Sequence, residues 1–77
     1  MNYYVNIAEQ NRKKYFRAEY KTYNNAINYG KKDLEKMRDA VIITGNKNNV
    51  KVITLRTYAV IDGKRQKSPC YIAHKHI

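Results

Sequence analysis

The polar and apolar positions from Thr22 to about Ala40 repeat at the period of an α-helix. Apolar residues recur at steps of three and four, and polar residues, mostly asparagines, lysines and acids, fill the other side. Thr22 is a suitable N-cap because its hydroxyl can accept from a free backbone N–H of the first turn. The apolar stripe consists of Tyr23, Ala26, Ile27, Gly30, Leu34, Met37 and Val41. We therefore predict one amphipathic helix with a single face to bury.

Strict alternation of side-chain character predicts two strands before this helix, over residues 2–8 and 14–21. The polar residues 9–13 between them indicate a turn, so the two strands form a hairpin. The apolar sides of the two strands consist of Tyr3, Val5 and Ile7 in the first and Phe16, Ala18 and Tyr20 in the second.

Beyond the helix the pattern changes to short apolar runs separated by turn residues. The run 40–44 predicts a strand, and the glycine and asparagines of 45–49 predict a turn. Residues 50–61 form the longest predicted strand, but its alternation changes phase. A β-bulge near Val52 would explain the shift, and so would burial of both faces at the start of the strand.

The last part of the chain contains a second hairpin signal. Asp62-Gly63 is a tight-turn dipeptide, and residues 64–67 extend it into a basic loop. Residues 71–73 predict a final short strand, and residues 74–77 are expected to form a flexible C-terminal tail.

These elements predict a single α+β domain spanning residues 1–77. We expect an antiparallel-rich sheet of four to five strands, in the order ββαββ(β), with the helix packed on one face. Gly30 lies on the apolar stripe, where a glycine suggests close approach of helix and sheet. The predicted core consists of Val5, Ile7, Phe16, Ala18, Ala26, Ile27, Leu34, Met37, Ile43, Ile53 and Leu55.

Charge narrows the functional classes. Sixteen Lys and Arg against six Asp and Glu give a net charge of +10, more than the roughly 2–8 that keeps a small domain soluble. Such an excess favours a polyanionic partner, although a generic role in solubility would also produce it. Membrane binding is not expected, because acids interrupt the helix's polar face and the core needs its apolar stripe.

Catalytic and metal-binding patterns are weak. No phosphate-binding glycine loop or nucleophile–histidine arrangement is present, so we expect no enzymatic activity and no cofactor. Cys70, His74 and His76 share one face of an extended strand, but three ligands fall short of the four of a structural zinc site, and we expect no metal. A single cysteine favours a reducing compartment. With no signal peptide or membrane span apparent, the expected location is cytoplasmic.

The sheet face opposite the helix is the candidate functional surface. Alternation places on it Tyr4, Tyr15, Arg17, Thr54, Arg56 and Tyr58. Rings can stack on unpaired bases and guanidinium groups can pair with phosphates or guanine edges, so we expect binding of DNA or RNA. Basic loops on either side would hold phosphates. The candidate nucleic-acid-binding residues are Arg12, Lys13, Lys14, Tyr15, Arg17, Arg56, Tyr58, Lys64, Arg65 and Lys67. Alternatively, these side chains are ordinary cross-strand pairs on a solvated sheet face.

A second functional class remains open. The same charge and the same Tyr and Arg side chains suit an interaction or inhibitor module that docks on an acidic or nucleic-acid-binding surface of a larger host protein. An uncovered edge strand offers a route to a homodimer or to pairing with a partner's strand. The nine asparagines and many lysines suggest an AT-rich coding genome, and hence a phage or mobile-element origin.

Overall fold

The computed structural model describes residues 1–9, 14–43 and 52–76. One helix packs on one face of an antiparallel sheet, which confirms the predicted α+β class. The elements, in chain order, are β1 (Asn2–Glu9), β2 (Lys14–Tyr20), α1 (Tyr23–Ile43), β3 (Val52–Ile61), β4 (Lys64–Arg65) and β5 (Tyr71–His76).

β1 and β3 form the centre of the sheet. β1 pairs with β2 on one side and with β3 on the other, and all pairs are antiparallel. The opposite edge of β3 is shared by two short strands. β4 pairs with β3 at Val60–Ile61, and β5 pairs with it along Val52–Thr57. β4 and β5 therefore lie one after the other along the same edge of β3.

The core lies between α1 and the two central strands. Val5 and Ile7 of β1 and Ile53 and Leu55 of β3 are fully buried. Burial of each such side chain contributes about 1.5–3 kcal/mol. From the helix, the stripe residues Ala26 and Leu34 complete the cluster. The side chains that pack around it are partly buried and comprise Tyr3, Phe16, Tyr20, Met37, Tyr71 and Ala73.

The start of the helix agrees with the sequence prediction. The backbone N–H of Asn25 donates to the Thr22 hydroxyl oxygen at 3.2 Å, and the N–H of Ala26 donates to the Thr22 carbonyl at 3.1 Å. Thr22 is therefore the N-cap.

The end of the helix differs from the prediction. α1 continues to Ile43, so the strand predicted over 40–44 is wrong for 40–43. In the sequence Val41 follows Met37 at a helical spacing of four residues, and this period outweighs the strand preference of a β-branched run. The side chain of Ile43, a predicted core residue, and the predicted turn at 45–49 lie outside the described residues.

β3 contains no bulge at Val52. Its pairing with β1 is continuous from Asn2–Val60 to Glu9–Ile53, and its pairing with β5 is continuous as well. The other explanation for the phase shift is correct, because Ile53, Thr54 and Leu55 are all buried. The start of the strand is thus covered on both faces.

The C-terminal part of the chain contains more strand than predicted. Lys64 and Arg65 form β4 within the expected basic loop. Residues 74–76, expected to belong to a flexible tail, continue β5 and pair with Val52–Thr54. In the sequence, residues 74–76 are all polar and therefore resemble a solvated tail. For this reason the sequence did not predict that the strand continues to His76. Among the described residues, no helix is long and apolar enough to cross a membrane.

Candidate functional site

The side chains of the sheet that point away from α1 form a surface that we call the open face. At its centre, Asn6 of β1 is the register partner of Arg17 on β2 and of Arg56 on β3. Because neighbouring strands lie about 4.8 Å apart, the two arginines stand roughly 10 Å apart at the backbone. Arg17 is exposed and Arg56 is half-buried. Two arginines thus flank one asparagine across the three strands.

The amide of Asn6 is itself unusual for the face that lies opposite α1. Asn6 is only 7% exposed, and its Oδ1 atom has no hydrogen-bond partner within the described part of the chain. Burial of an unpaired polar atom is costly, of the order of 1–3 kcal/mol. The side chain therefore carries an acceptor that the described fold leaves unused.

Two tyrosine rings lie next to the arginine row, which is the row that Arg17, Asn6 and Arg56 form across the three strands. Tyr4 and Tyr58 are register partners, and their ring centroids are 6.3 Å apart with the planes tilted by 47°. The Arg65 guanidinium lies over both rings, 4.9 Å from the centroid of Tyr4 and 5.1 Å from that of Tyr58. The β4 pairing that joins Arg65 to Val60 brings it there. Cation–π attraction holds the group on the ring faces.

On the other side of the arginine row, the open face contains a shallow depression of about 360 Å³. Its lining combines one guanidinium group, two imidazoles, a hydroxyl and a valine. The Thr54 hydroxyl is hydrogen-bonded to His74 Nδ1 at 3.1 Å, and this contact fixes the ring against the sheet. The lining residues are Val52, Thr54, Arg56, His74 and His76.

The basic loop borders a second open depression, of about 480 Å³. Lys64, Arg65 and Lys67 line it together with Gln66 and Ser68. Arg65 therefore connects this basic segment to the tyrosine pair.

Positive charge is not confined to the open face. On the helix side, Lys31 lies 5.5 Å from the ring centroid of Tyr71, and Lys32 lies 5.7 Å from that of Tyr29. Lys75 forms a salt bridge with Glu35 of α1. The helix side thus offers lysines mixed with acids, whereas the open face offers arginines beside aromatic rings.

One carboxylate also belongs to the open face. Glu19 of β2 is the register partner of Tyr4, and it accepts a hydrogen bond of 2.7 Å from Asn2 Nδ2. It lies in the tyrosine row, away from the depression that contains the histidines.

Several candidate residues named from the sequence come together. Arg17, Arg56, Tyr58 and Arg65 share the open face, and Lys64 and Lys67 lie in the adjoining segment.

The other four candidates remain without a described position for their side chains. Arg12 and Lys13 lie outside the described residues. Lys14 and Tyr15 belong to β2 by their backbone, and their side chains lie outside the described part. The β1–β2 register is irregular between Ile7 and Ala8, so alternation alone does not assign Tyr15 to a face.

Sequence reasoning missed three members of this surface. Asn6 was overlooked because its importance depends on the register of both neighbouring strands. His74 and His76 were assigned to a tail, although their alternation with Ala73 and Lys75 was a strand signal. Within the described ranges, no three Cys, His, Asp or Glu residues lie close enough to hold a metal ion. The Cys70 thiol instead donates to the Thr57 carbonyl at 3.4 Å.

Comparison with known proteins gives no assignment: no protein-family model, curated protein or solved structure matches this chain. Any function must therefore be inferred from the surface itself.

Proposed function

We propose that this chain is a non-enzymatic nucleic-acid-binding protein and that a single strand of DNA or RNA binds on the open face. One arrangement carries the proposal: the Arg65 guanidinium lies over the paired rings of Tyr4 and Tyr58, next to the row that contains Arg17 and Arg56. Aromatic rings and strong phosphate-binding groups thus lie side by side on one exposed sheet surface.

The tyrosines would supply stacking platforms. Unpaired bases stack on aromatic side chains with little regard to sequence, because every base has a π-face. In the free protein the guanidinium of Arg65 occupies those ring faces. A base that stacks on Tyr4 or Tyr58 takes its place, and the displaced cation is then available for the neighbouring phosphate.

The arginines would hold the backbone. Guanidinium groups bind phosphate oxygens in pairs and keep their charge at every physiological pH. Arg17 and Arg56 stand on separate strands, so they can contact different phosphates. Lys64 and Lys67, next to Arg65, extend the positive surface beyond the tyrosines.

The form of the surface favours single strands over duplexes. In a duplex the bases are stacked on one another, so their faces are hidden from protein rings. Duplex readout instead relies on an element that enters a groove, usually a helix or a two-stranded ribbon. The helix of this protein is packed against the sheet, and the aromatic rings that we assign to the binding surface lie on the opposite face.

The test is a fluorescence-polarisation titration with labelled single-stranded DNA, single-stranded RNA and duplex DNA at several salt concentrations. For single strands, log K is expected to fall with log salt by about 0.7 per neutralised phosphate. The double variant Arg17→Ala/Arg56→Ala should weaken single-strand binding and make the slope shallower by about 1.4 if each arginine neutralises one phosphate. The fold should persist, because neither residue belongs to the core.

The matched control is Lys32→Ala/Lys36→Ala, which removes the same charge from the helix side. It should leave both affinity and salt slope close to those of the unmodified protein. Equal losses in the two double variants would show that binding reflects net charge alone, and the open-face proposal would then be abandoned.

A protein partner is the second candidate, and one observation favours it. Ile72 is 49% exposed and is the register partner of Arg56, so the open face also presents an apolar side chain among tyrosines and arginines. Tyr and Arg are enriched at the centres of protein interfaces. Absence of binding to all three nucleic acids at physiological salt would favour this class, and an acidic protein surface would then be the expected partner.

A further inference from the structure

Apart from Arg56, the residues that line the depression at the histidine end of the open face have no role in the binding surface described above. We propose that Arg56, His74 and His76 form a phosphate-binding site that makes nucleic-acid binding tighter as the solution becomes more acidic. This inference rests on the proposed function and names the chemical group that this part of the face would hold.

The geometry of the strands places the three cationic or potentially cationic groups around one hollow. His74 and His76 lie two residues apart on the same side of β5, which separates them by about 6.6 Å along the strand. Their register partners on β3 are Thr54 and Val52, and Arg56 follows two residues after Thr54. The hollow of about 360 Å³ between them is wide enough for a phosphate group and open to solvent.

The hydrogen bond between Thr54 and His74 prepares His74 for an anionic ligand. When the hydroxyl donates to Nδ1, the imidazole carries its proton on Nε2, and that N–H is free to donate to a phosphate oxygen. When the ring gains a second proton, Nδ1–H donates to the hydroxyl instead and Nε2–H is unchanged. The same 3.1 Å contact therefore suits both charge states.

The charged groups around the hollow allow protonation of the histidines to strengthen phosphate binding. From β3 the hollow is faced by Arg56, and from β5 by the two histidines themselves; none of the five lining residues is acidic. On the helix side of the sheet, Glu35 is already paired with Lys75. Histidine is the side chain whose charge commonly changes between pH 5 and 8, whereas a phosphodiester stays anionic throughout.

The position of the hollow fits a strand that runs along β3. Tyr58 lies two residues beyond Arg56, and Thr54 lies two residues before it, on the same face. A base stacked on Tyr58 would thus be followed by a phosphate near Arg56 and the histidines. Either an internal phosphodiester or a terminal phosphate has this chemistry.

The experiment measures binding of the whole chain to a labelled oligothymidylate of twelve nucleotides at pH 5.5, 6.5 and 7.5 and at constant ionic strength. Thymine gains no proton in this range, so a pH effect reports on the protein. We expect binding about tenfold tighter at pH 5.5 than at pH 7.5, because hydrogen bonds from charged donors are the stronger kind. Circular dichroism at each pH checks that the fold is constant.

The variant His74→Gln/His76→Gln keeps hydrogen-bonding side chains that gain no charge. It should bind within about twofold of the unmodified protein at pH 7.5 and lose the pH effect, since only the charged hydrogen bonds are removed. The control Arg17→Ala should weaken binding at all three pH values and keep their ratio. A pH effect that persists in the glutamine variant would overturn the proposal.

Two further outcomes separate this inference from the proposed function. Binding that is tight and independent of pH in the unmodified protein would refute the phosphate site and leave the open-face proposal standing. No binding at any pH would refute both. Repeating the titration with and without a 5′-phosphate, for the unmodified protein and for the glutamine variant, distinguishes the source. A terminal phosphate itself gains a proton at about pH 6, so the comparison is between the two proteins. A pH effect that depends on the histidines and is confined to the phosphorylated oligonucleotide identifies a terminal phosphate, and one seen with both oligonucleotides identifies an internal phosphate.

Discussion

Gly30 lies so close to Leu55 that a β-carbon on the glycine would stand 2.8 Å from the leucine Cδ1. The same atom would stand 3.4 Å from Val5 Cγ1. Both neighbours are fully buried, so neither can move aside into solvent. The helix therefore contacts the sheet through its own backbone at this position.

From this contact we predict that Gly30→Ala destabilises the protein. Alanine would favour the helix by about 1 kcal/mol, but overpacking of a filled core costs about 1–3 kcal/mol. We expect a net loss of about 1 kcal/mol in the free energy of unfolding, measured with urea. In a Leu55→Val background, which removes the obstructing atom, the alanine should cost less or become favourable. A gain in stability from Gly30→Ala alone would contradict the close approach.

A second prediction concerns two threonines of β3 with different surroundings. Thr57 is fully buried, and its hydroxyl has no hydrogen-bond partner in the described ranges. Thr57→Val keeps the shape of the side chain and removes this unpaired hydroxyl, so the free energy of unfolding should rise by about 1 kcal/mol. Thr54→Val is the matched control: its hydroxyl is bonded to His74, and no gain is expected there. Similar effects at both positions would show that the hydroxyl pairing is not the cause.

A third prediction concerns alkaline pH. Burial raises the pKa of the Tyr20 hydroxyl above its ordinary value of 10.0, and the charge of Asp33 and its hydrogen bond with this hydroxyl raise the pKa further. The unfolded chain therefore loses this proton first. The stability that Tyr20 contributes is fully present below pH 10 and is lost as the pH rises from there through the folded pKa.

Tyr20→Phe should accordingly remove part of the alkaline loss of stability. Urea midpoints measured from pH 8 to pH 11 should fall less steeply in this variant than in the unmodified protein, and Asp33→Asn should also flatten the curve because it removes the acceptor's charge. All other ionisable groups are shared by the unmodified protein and Tyr20→Phe, so the comparison is between variants. Parallel curves for all three proteins would exclude Tyr20 as a source of the pH dependence.

A fourth prediction separates stacking from charge. Tyr58→Leu keeps an apolar side chain on the open face and removes the ring. If bases stack there, single-strand affinity should fall by about 1–3 kcal/mol, while the salt slope stays the same because no phosphate contact is lost. Polarisation titrations measure both quantities. Tyr29→Leu, on the exposed side of the helix, is the control. Equal losses at the two tyrosines would argue against a stacking site at Tyr58.

The sequence predicted those features that depend on local periodicity. Alternation assigned Val5 and Ile7 to the buried face and Arg17 and Arg56 to the other, and helical spacing identified the stripe with Gly30. It failed where two local signals compete. The β-branched residues 41–43 favour a strand by propensity, but in the folded chain they continue the helix.

Local sequence patterns could not predict how the residues of the candidate site are arranged relative to one another. Arg65 lies over Tyr4 and Tyr58 only because β4 pairs with β3 and β3 pairs with β1. Likewise, the contact between Thr54 and His74 depends on the register of β5. Periodicity gives the face of each residue, but it contains no information on which strands are neighbours.

β1 and β3 are adjacent in space but far apart in the chain, because β2 and all of α1 lie between them. During synthesis the first hairpin and the helix are therefore made before β3, and the edge of β1 that pairs with β3 has no hydrogen-bonding partner from β3 until that strand emerges. Pairing of such distant segments is slow compared with hairpin or helix formation. A chain cut after α1 is expected to show no cooperative unfolding. Arg17 belongs to β2, before the helix, and Arg56 belongs to β3, after it. The pairing of β3 with β1 therefore completes the core and brings the two arginines together in the same step.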